Sequence, residues 1–289
     1  MFIITIQFLI PQSMKGVINM IYSDYHMHTN YSSDSDATVE SMIEKAISLG
    51  LKEIAITDHL DYQYPDPEFP FLLDYDAYTA KINDMKQKYD GKIIIRKGVE
   101  FGLQAHIKKE TDDFYKNGTF DFVIGSTHCV KGLELYGNYF YNGKTQHNAY
   151  LEYFEDLYNN VKIYDCFNVY GHMDYVNRYG NYDNRNLNYI EFREIIDEIL
   201  KLLIKKDKGI ELNTSGIKYG LGYIHPKIEI IKRYKELGGE IITIGSDAHS
   251  PEYVASHIKD AYEILRNVGL KAFTIFEKQQ PYFIDIPKI

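Results

Sequence analysis

The chain has 289 residues, 45% hydrophobic and 25% charged, proportions that exclude a disordered chain or one built from membrane spans. A formal charge of -9 argues against a nucleic-acid-binding face, because phosphate backbones are gripped by clustered Lys and Arg. A small anion remains a compatible ligand, since a few local cations or metals suffice to hold one.

The apolar run Phe2 to Ile10 has no basic residue before it and no cleavage site after it, and it is too short to cross a bilayer. Residues 1–19 are therefore expected to form an extension, with the folded domain at 20–289 and the protein in the cytoplasm. A strand is predicted at 21–25, followed by a helix at 38–48 that Thr38 caps and Gly50 ends in a left-handed conformation. Strand 53–57 comes next, then a Pro- and Tyr-rich loop at 61–74, a helix at 75–89 and strand 93–99. Strand 122–126, a loop at 136–144, a helix at 146–159 and strand 167–170 follow. After a loop at 179–185, a helix at 188–206 leads to strand 209–213, and a helix at 227–237 leads to strand 240–244. A helix at 252–267 closes the series. Seven strands alternating with helices, with no repeat or linker between them, favour one parallel (β/α) barrel; an open doubly wound sheet is the alternative. The two cysteines, Cys129 and Cys166, lack disulfide-like spacing, and reduced thiols are expected.

In a barrel the reacting groups gather at the C-terminal ends of the strands. Strand one ends in Asp24-Tyr25-His26-Met27-His28, where alternation turns both imidazoles to one side. The second ends in Thr57-Asp58-His59, the third in Gly98-Val99-Glu100 and the fourth in Ser126-Thr127-His128. The fifth ends in Gly171-His172-Met173-Asp174 and the seventh in Ser246-Asp247-Ala248-His249. Six of the ten histidines lie at these ends, and solvated histidines have no reason to collect on one face. A shared metal site follows, with mixed imidazole and carboxylate ligands that suit Zn, Mn or Fe.

This ordered set, with the stretches DYHMHTNYSSDSD, GHMDYVNRYG and GIELNTSG, closely resembles the PHP (polymerase and histidinol phosphatase) superfamily and its histidinol-phosphatase branch. The resemblance implies a distorted (β/α)7 barrel holding three divalent transition metals, and hydrolysis of L-histidinol phosphate, a late step of histidine biosynthesis. It puts His26, His28, Glu100 and Asp247 on a first metal, with Glu100 bridging to a second completed by His128 and His172. Asp34, His59 and His249 would hold a third. Asp174 is expected to accept the free N–H of His172, and Asp58 to do the same for His59 or to touch the substrate, giving both a catalytic part.

Such metals lower the pKa of bound water and neutralise charge on a phosphoryl group, so no protein nucleophile is needed. His128-Cys129 begins an H-C-x5-R phosphatase loop, but Leu135 stands where the Arg belongs, and no G-x-x-x-x-G-K-[ST] loop occurs. Arg178, after strand five, is expected to grip the phosphate with its planar fork and so to act in catalysis; Lys218, after strand six, would add a second charge. The loop from Asp61 to Phe69 offers acidic and aromatic groups for the organic end. Phosphotyrosine, a nucleotide or a sugar phosphate is the alternative substrate. A non-catalytic module is disfavoured, because no motif ligand is replaced.

Overall fold

The computed structural model describes residues 21–288; the extension expected at 1–19 lies outside the described residues. Seven parallel strands lie side by side in the order in which the chain makes them. They are β1 (Ser23–Asp24), β2 (Glu53–Ile56), β3 (Ile94–Gly102), β4 (Phe122–Ser126), β5 (Val169–Tyr170), β6 (Gly209–Asn213) and β7 (Ile242–Gly245). The order never reverses, which removes the doubly wound alternative: that fold needs a switch point. Closure comes after the last strand, where Tyr25 N–H donates to Ile244 O at 3.0 Å, Asp247 N–H to His26 O at 2.8 Å and His28 N–H to Ala248 O at 2.8 Å.

Helices cover the outside, so the strands are buried on both faces and read as apolar runs rather than alternating ones. The helices longer than one turn are α1 (Val39–Ser48), α2 (Tyr75–Lys88), α3 (Lys108–Asn117), α4 (Gln146–Ile163), α5 (Arg193–Lys205), α6 (Ile228–Glu236) and α7 (Ile258–Asn267). Thr38 caps α1 by accepting from Ser41 N–H, and Gly50 follows the helix at φ 79°, both as expected. One element was not expected and one expectation is corrected. Helix α3 buries only Thr111 fully, so its sequence carries almost no apolar stripe to announce it. The last helix begins at Ile258 rather than at 252, because Ala255 and His257 adopt positive φ and break the spiral after a short turn at Pro251–Tyr253.

Two features position the site. Strand β3 outruns β2, and its end pairs with a two-residue strand, His59–Leu60, in the register His59 opposite Glu100. At the opposite mouth, an antiparallel hairpin (Ala272–Glu277 with Gln280–Asp285) plugs the barrel. Phe276 stacks on Phe122 at 5.2 Å and its N–H donates to the Tyr25 hydroxyl at 3.0 Å, while Thr274 Oγ1 accepts from Ile242 N–H at 3.1 Å. Both cysteines are free and buried, and no described helix is long and apolar enough to cross a membrane.

Candidate metal centre

Seven of the nine expected ligands are buried beneath one cavity of about 370 Å³ at the C-terminal ends of the strands; Asp34 and His249 are more open. His26 and His28 leave the end of β1 on the same side, and their Nε2 atoms lie 3.0 Å apart. Glu100 Oε2 stands 3.0 Å from His26 Nε2 and 3.5 Å from His28 Nε2; Asp247 Oδ1 stands 3.7 and 3.3 Å from the same two atoms. A tetrahedral ion with bonds of about 2.1 Å separates its ligands by about 3.4 Å, so these four atoms already trace a metal's coordination shell. The other oxygen of Glu100 faces the other way, 3.3 Å from His128 Nε2 and 3.0 Å from His172 Nε2. One carboxylate thus faces imidazoles on both sides, Oε2 toward His26 and His28 with His59 Nδ1 also 3.2 Å away, and Oε1 toward His128 and His172.

The third grouping is looser. His249 Nε2 lies 3.0 Å from Asp34 Oδ2, and His59 Nε2 lies 3.8 Å from it. The rings of His59 and His249 each stack on the His28 ring at 4.2 Å and lie 6.0 Å from one another. Asp36 is exposed and takes no part in these groupings.

The electrostatics fit cations. Burial, reinforced by His249 and His59, pushes His28 down to about 3, leaving it neutral with a lone pair to give. Burial would also lower His26, yet Glu211, Glu100 and Asp247 around it raise its pKa well above the usual value. His59 is likewise lifted, to about 9, against its burial by Glu100 and Asp34. Carboxylates concentrated this deeply call for positive charge, and the donor set of imidazole nitrogen and carboxylate oxygen suits a divalent transition metal.

Two roles expected from the sequence are corrected. Asp174 does not meet His172: it accepts from Asn177 Nδ2 and Lys227 N–H and pairs with His225 Nδ1 at 2.5 Å, and His172 Nδ1 has no acceptor among the described residues. Asp58 is fully buried and accepts from Thr29 N–H, Thr29 Oγ1 and Ser32 Oγ, clamping the loop after β1. Neither lines the cavity.

The imidazoles have other partners that the sequence reading missed. Asp61 Oδ1 lies 2.6 Å from His128 Nδ1, and its other oxygen 3.4 Å from His59 Nδ1. Glu211 Oε1 lies 2.5 Å from His26 Nδ1. Asp61 belongs to the loop expected to meet the organic end of the substrate; the absence of a Cβ at Gly102, where one would fall 1.8 Å from Asp61 Oδ1, leaves room for its turn toward the imidazoles, and nothing in the linear sequence marks that approach.

Arg178 enters the cavity beside the metal ligands. Its guanidinium lies between the rings of Tyr175 (4.5 Å) and Tyr219 (4.1 Å), donates to Ser215 Oγ at 2.6 Å and approaches Asp247 Oδ2 at 3.5 Å. Its buried Nε–H has no acceptor among the described residues. Lys218 lies at the exposed rim over the Tyr253 ring. The walls are Tyr64, Phe69, Phe71, Tyr136 and Tyr179; the acidic Asp66 and Glu68 of the same loop stay outside.

Residues 24–215 match the family model described as PHP domain. A histidinol-phosphatase of Lactococcus lactis is 34% identical over 88% of this chain and 93% of its own length. A relative from Clostridium acetobutylicum is 32% identical over 89% of this chain and 97% of its own. The crystal structure of histidinol phosphate phosphatase from Lactococcus lactis, complexed with Zn, L-histidinol and phosphate, superposes with a TM-score of 0.84 at 32% identity, covering 90% of this chain and 98% of that one.

Proposed function

This chain belongs to the PHP-domain family, in its histidinol-phosphatase branch, and on that footing we propose that it hydrolyses L-histidinol phosphate to L-histidinol and phosphate with the help of bound divalent metals. The observation that carries the reading is Glu100, whose two oxygens face separate groups of imidazoles directly beneath a cavity that Arg178 enters. The relative crystallised with Zn, L-histidinol and phosphate supports the same substrate.

Three centres account for the nine donors: His26, His28, Glu100 and Asp247; Glu100, His128 and His172; and Asp34, His59 and His249. Zn, Mn and Fe all suit these ligands. When bound, such ions supply an activated water and offset charge on the phosphoryl oxygens.

The protein's own part is positioning. Arg178 offers its unpaired Nε–H and the edge of its fork to phosphate oxygens, held flat by two tyrosine rings and aimed by Ser215. Lys218 adds charge from the rim. The aromatic walls exclude water and pack the organic group, with the leaving oxygen turned away from the ligand floor, as in-line displacement requires. Asp58 and Asp174 hold the loops that carry these groups and do not touch the reacting atoms. An enzyme of amino-acid biosynthesis with free cysteines fits the cytoplasm.

The test is phosphate release by protein reconstituted with Zn or Mn, with histidinol phosphate run beside phosphotyrosine, a nucleoside monophosphate and a sugar phosphate. Histidinol phosphate should be preferred by at least tenfold in kcat/KM. Equal or faster turnover of another ester would overturn the substrate assignment and leave the metal chemistry standing.

A further inference from the structure

Glu211 lies in the stretch GIELNTSG, is 1% exposed, and does not line the cavity. Alternation along β6 turns Glu211 and Asn213 to the same face, the barrel interior. There Glu211 reaches the back of two ligands from different strands. Its Oε1 lies 2.5 Å from His26 Nδ1, and its Oε2 accepts from the His172 backbone N–H at 3.0 Å and from Asn213 Nδ2 at 3.1 Å. The space for this exists only because residue 245 is glycine: a Cβ there would fall 2.6 Å from Glu211 Oε1 and 2.3 Å from the His26 Cβ.

We infer that Glu211 is a positioning residue for the metal centre, fixing the tautomer of His26 and the place of His172 with one carboxylate. This rests on the metal-dependent reading above. With Nδ1–H donated to Oε1, the His26 lone pair is confined to Nε2, the atom 3.0 Å from both His28 Nε2 and Glu100 Oε2. The same carboxylate anchors the main chain of His172, whose Nε2 faces the other oxygen of Glu100. The ligand sets on either side of Glu100 are thereby held in one frame from behind, by a group that never meets the substrate.

Glu211→Gln tests this with little change of shape. An amide cannot accept from both sides. If its oxygen faces His26, its NH2 confronts the His172 N–H; if it is turned, the NH2 donates to His26 Nδ1 and drives the ring proton onto Nε2. Chelator competition on the full-length protein should show one Zn equivalent weakened by about ten- to a hundredfold, with the melting temperature of the metal-free protein unchanged. Saturating Zn should bring kcat back toward the wild-type value at unchanged KM. Glu211→Asp, which keeps the charge but withdraws it by one methylene, should show the same weakening and keeps the question open to measurement if the Gln variant does not fold. Wild-type Zn affinity in both variants would overturn the inference, as would loss of all equivalents together with a lower metal-free melting temperature and no rescue by Zn. A wild-type protein that binds no Zn would overturn the metal reading itself, and this inference with it.

Discussion

Arg178 separates phosphate recognition from metal binding. It is buried, lies between two tyrosine rings, and has one N–H without a protein acceptor. Arg178→Ala should lower kcat/KM for the phosphate ester by roughly 2 to 4 kcal/mol, the scale for truncating one partner of a buried charged pair, while metal content stays the same. Arg178→Lys should recover part of the loss, because an ammonium lacks the planar fork. A wild-type rate in the alanine variant, measured by phosphate release, would assign phosphate binding to Lys218 and the metals. At this scale the ligand types were legible because histidines at strand ends have no bland reason to cluster. Their orienting partners were not. Asp174 stands two residues from His172 yet pairs with His225, whereas His26 is braced by a glutamate 185 positions away. Proximity along the chain was the wrong guide to proximity around a barrel.

Among the elements, α4 carries a local conflict. Asp156 lies half-buried in it, accepts among the described residues only from Asn160 Nδ2 at 3.4 Å, and is raised to about 6, mainly by burial, despite that hydrogen bond and the distant charge of Lys131. A carboxyl with a raised folded pKa costs stability wherever it is ionised. The cost is full above about pH 6 and disappears as pH falls toward the unfolded value near 4. Asp156→Asn keeps the acceptor and removes the charge. It should stabilise the protein by about 1 kcal/mol at pH 8, a value discounted for partial exposure, and by nothing measurable at pH 4, as urea unfolding at the two pH values would show. An equal gain at both would mean that the charge is not the cause. Most elements were legible from their periodicity; α3 and the starting point of α7 were not. The former buries only Thr111 fully, and the latter is delayed by left-handed residues ahead of it, Ala255 and His257, that carry no sequence signal.

For the molecule as a whole, ligands from β1, β3, β4, β5 and β7 converge, so metal binding ties together strands that are far apart in sequence. Stripping the metals should therefore lower the melting temperature of the entire barrel. At a free concentration a hundred times Kd, one bound ion contributes about 2.7 kcal/mol, which corresponds to a shift of about 5 to 10 °C for a domain of this size. Calorimetry before and after chelation, with Zn added back, checks it; identical melting in all three conditions would mean that the ligands are held without help. The parallel barrel was readable from the unbroken alternation of strand and helix, since that pattern leaves few topologies. The hairpin at its base was not, because Ala272–Glu277 and Gln280–Asp285 follow the last helix with nothing to say which mouth they cover.

That hairpin also governs traffic. With one end of the barrel plugged and seven of the nine ligands buried, whatever enters or leaves the cavity passes the rim where Tyr136 and Tyr219 are 59% and 38% exposed. A phosphomonoester admitted through a single door goes in phosphate first, toward Arg178, with its organic end behind. The products must then depart in a fixed sequence, the alcohol ahead of the phosphate that lies beneath it. Inorganic phosphate is thus the product that meets the empty enzyme and competes with incoming substrate, and the alcohol is not. Added phosphate is therefore expected to inhibit turnover competitively with substrate, and added alcohol is not, which initial-rate kinetics with each product would check.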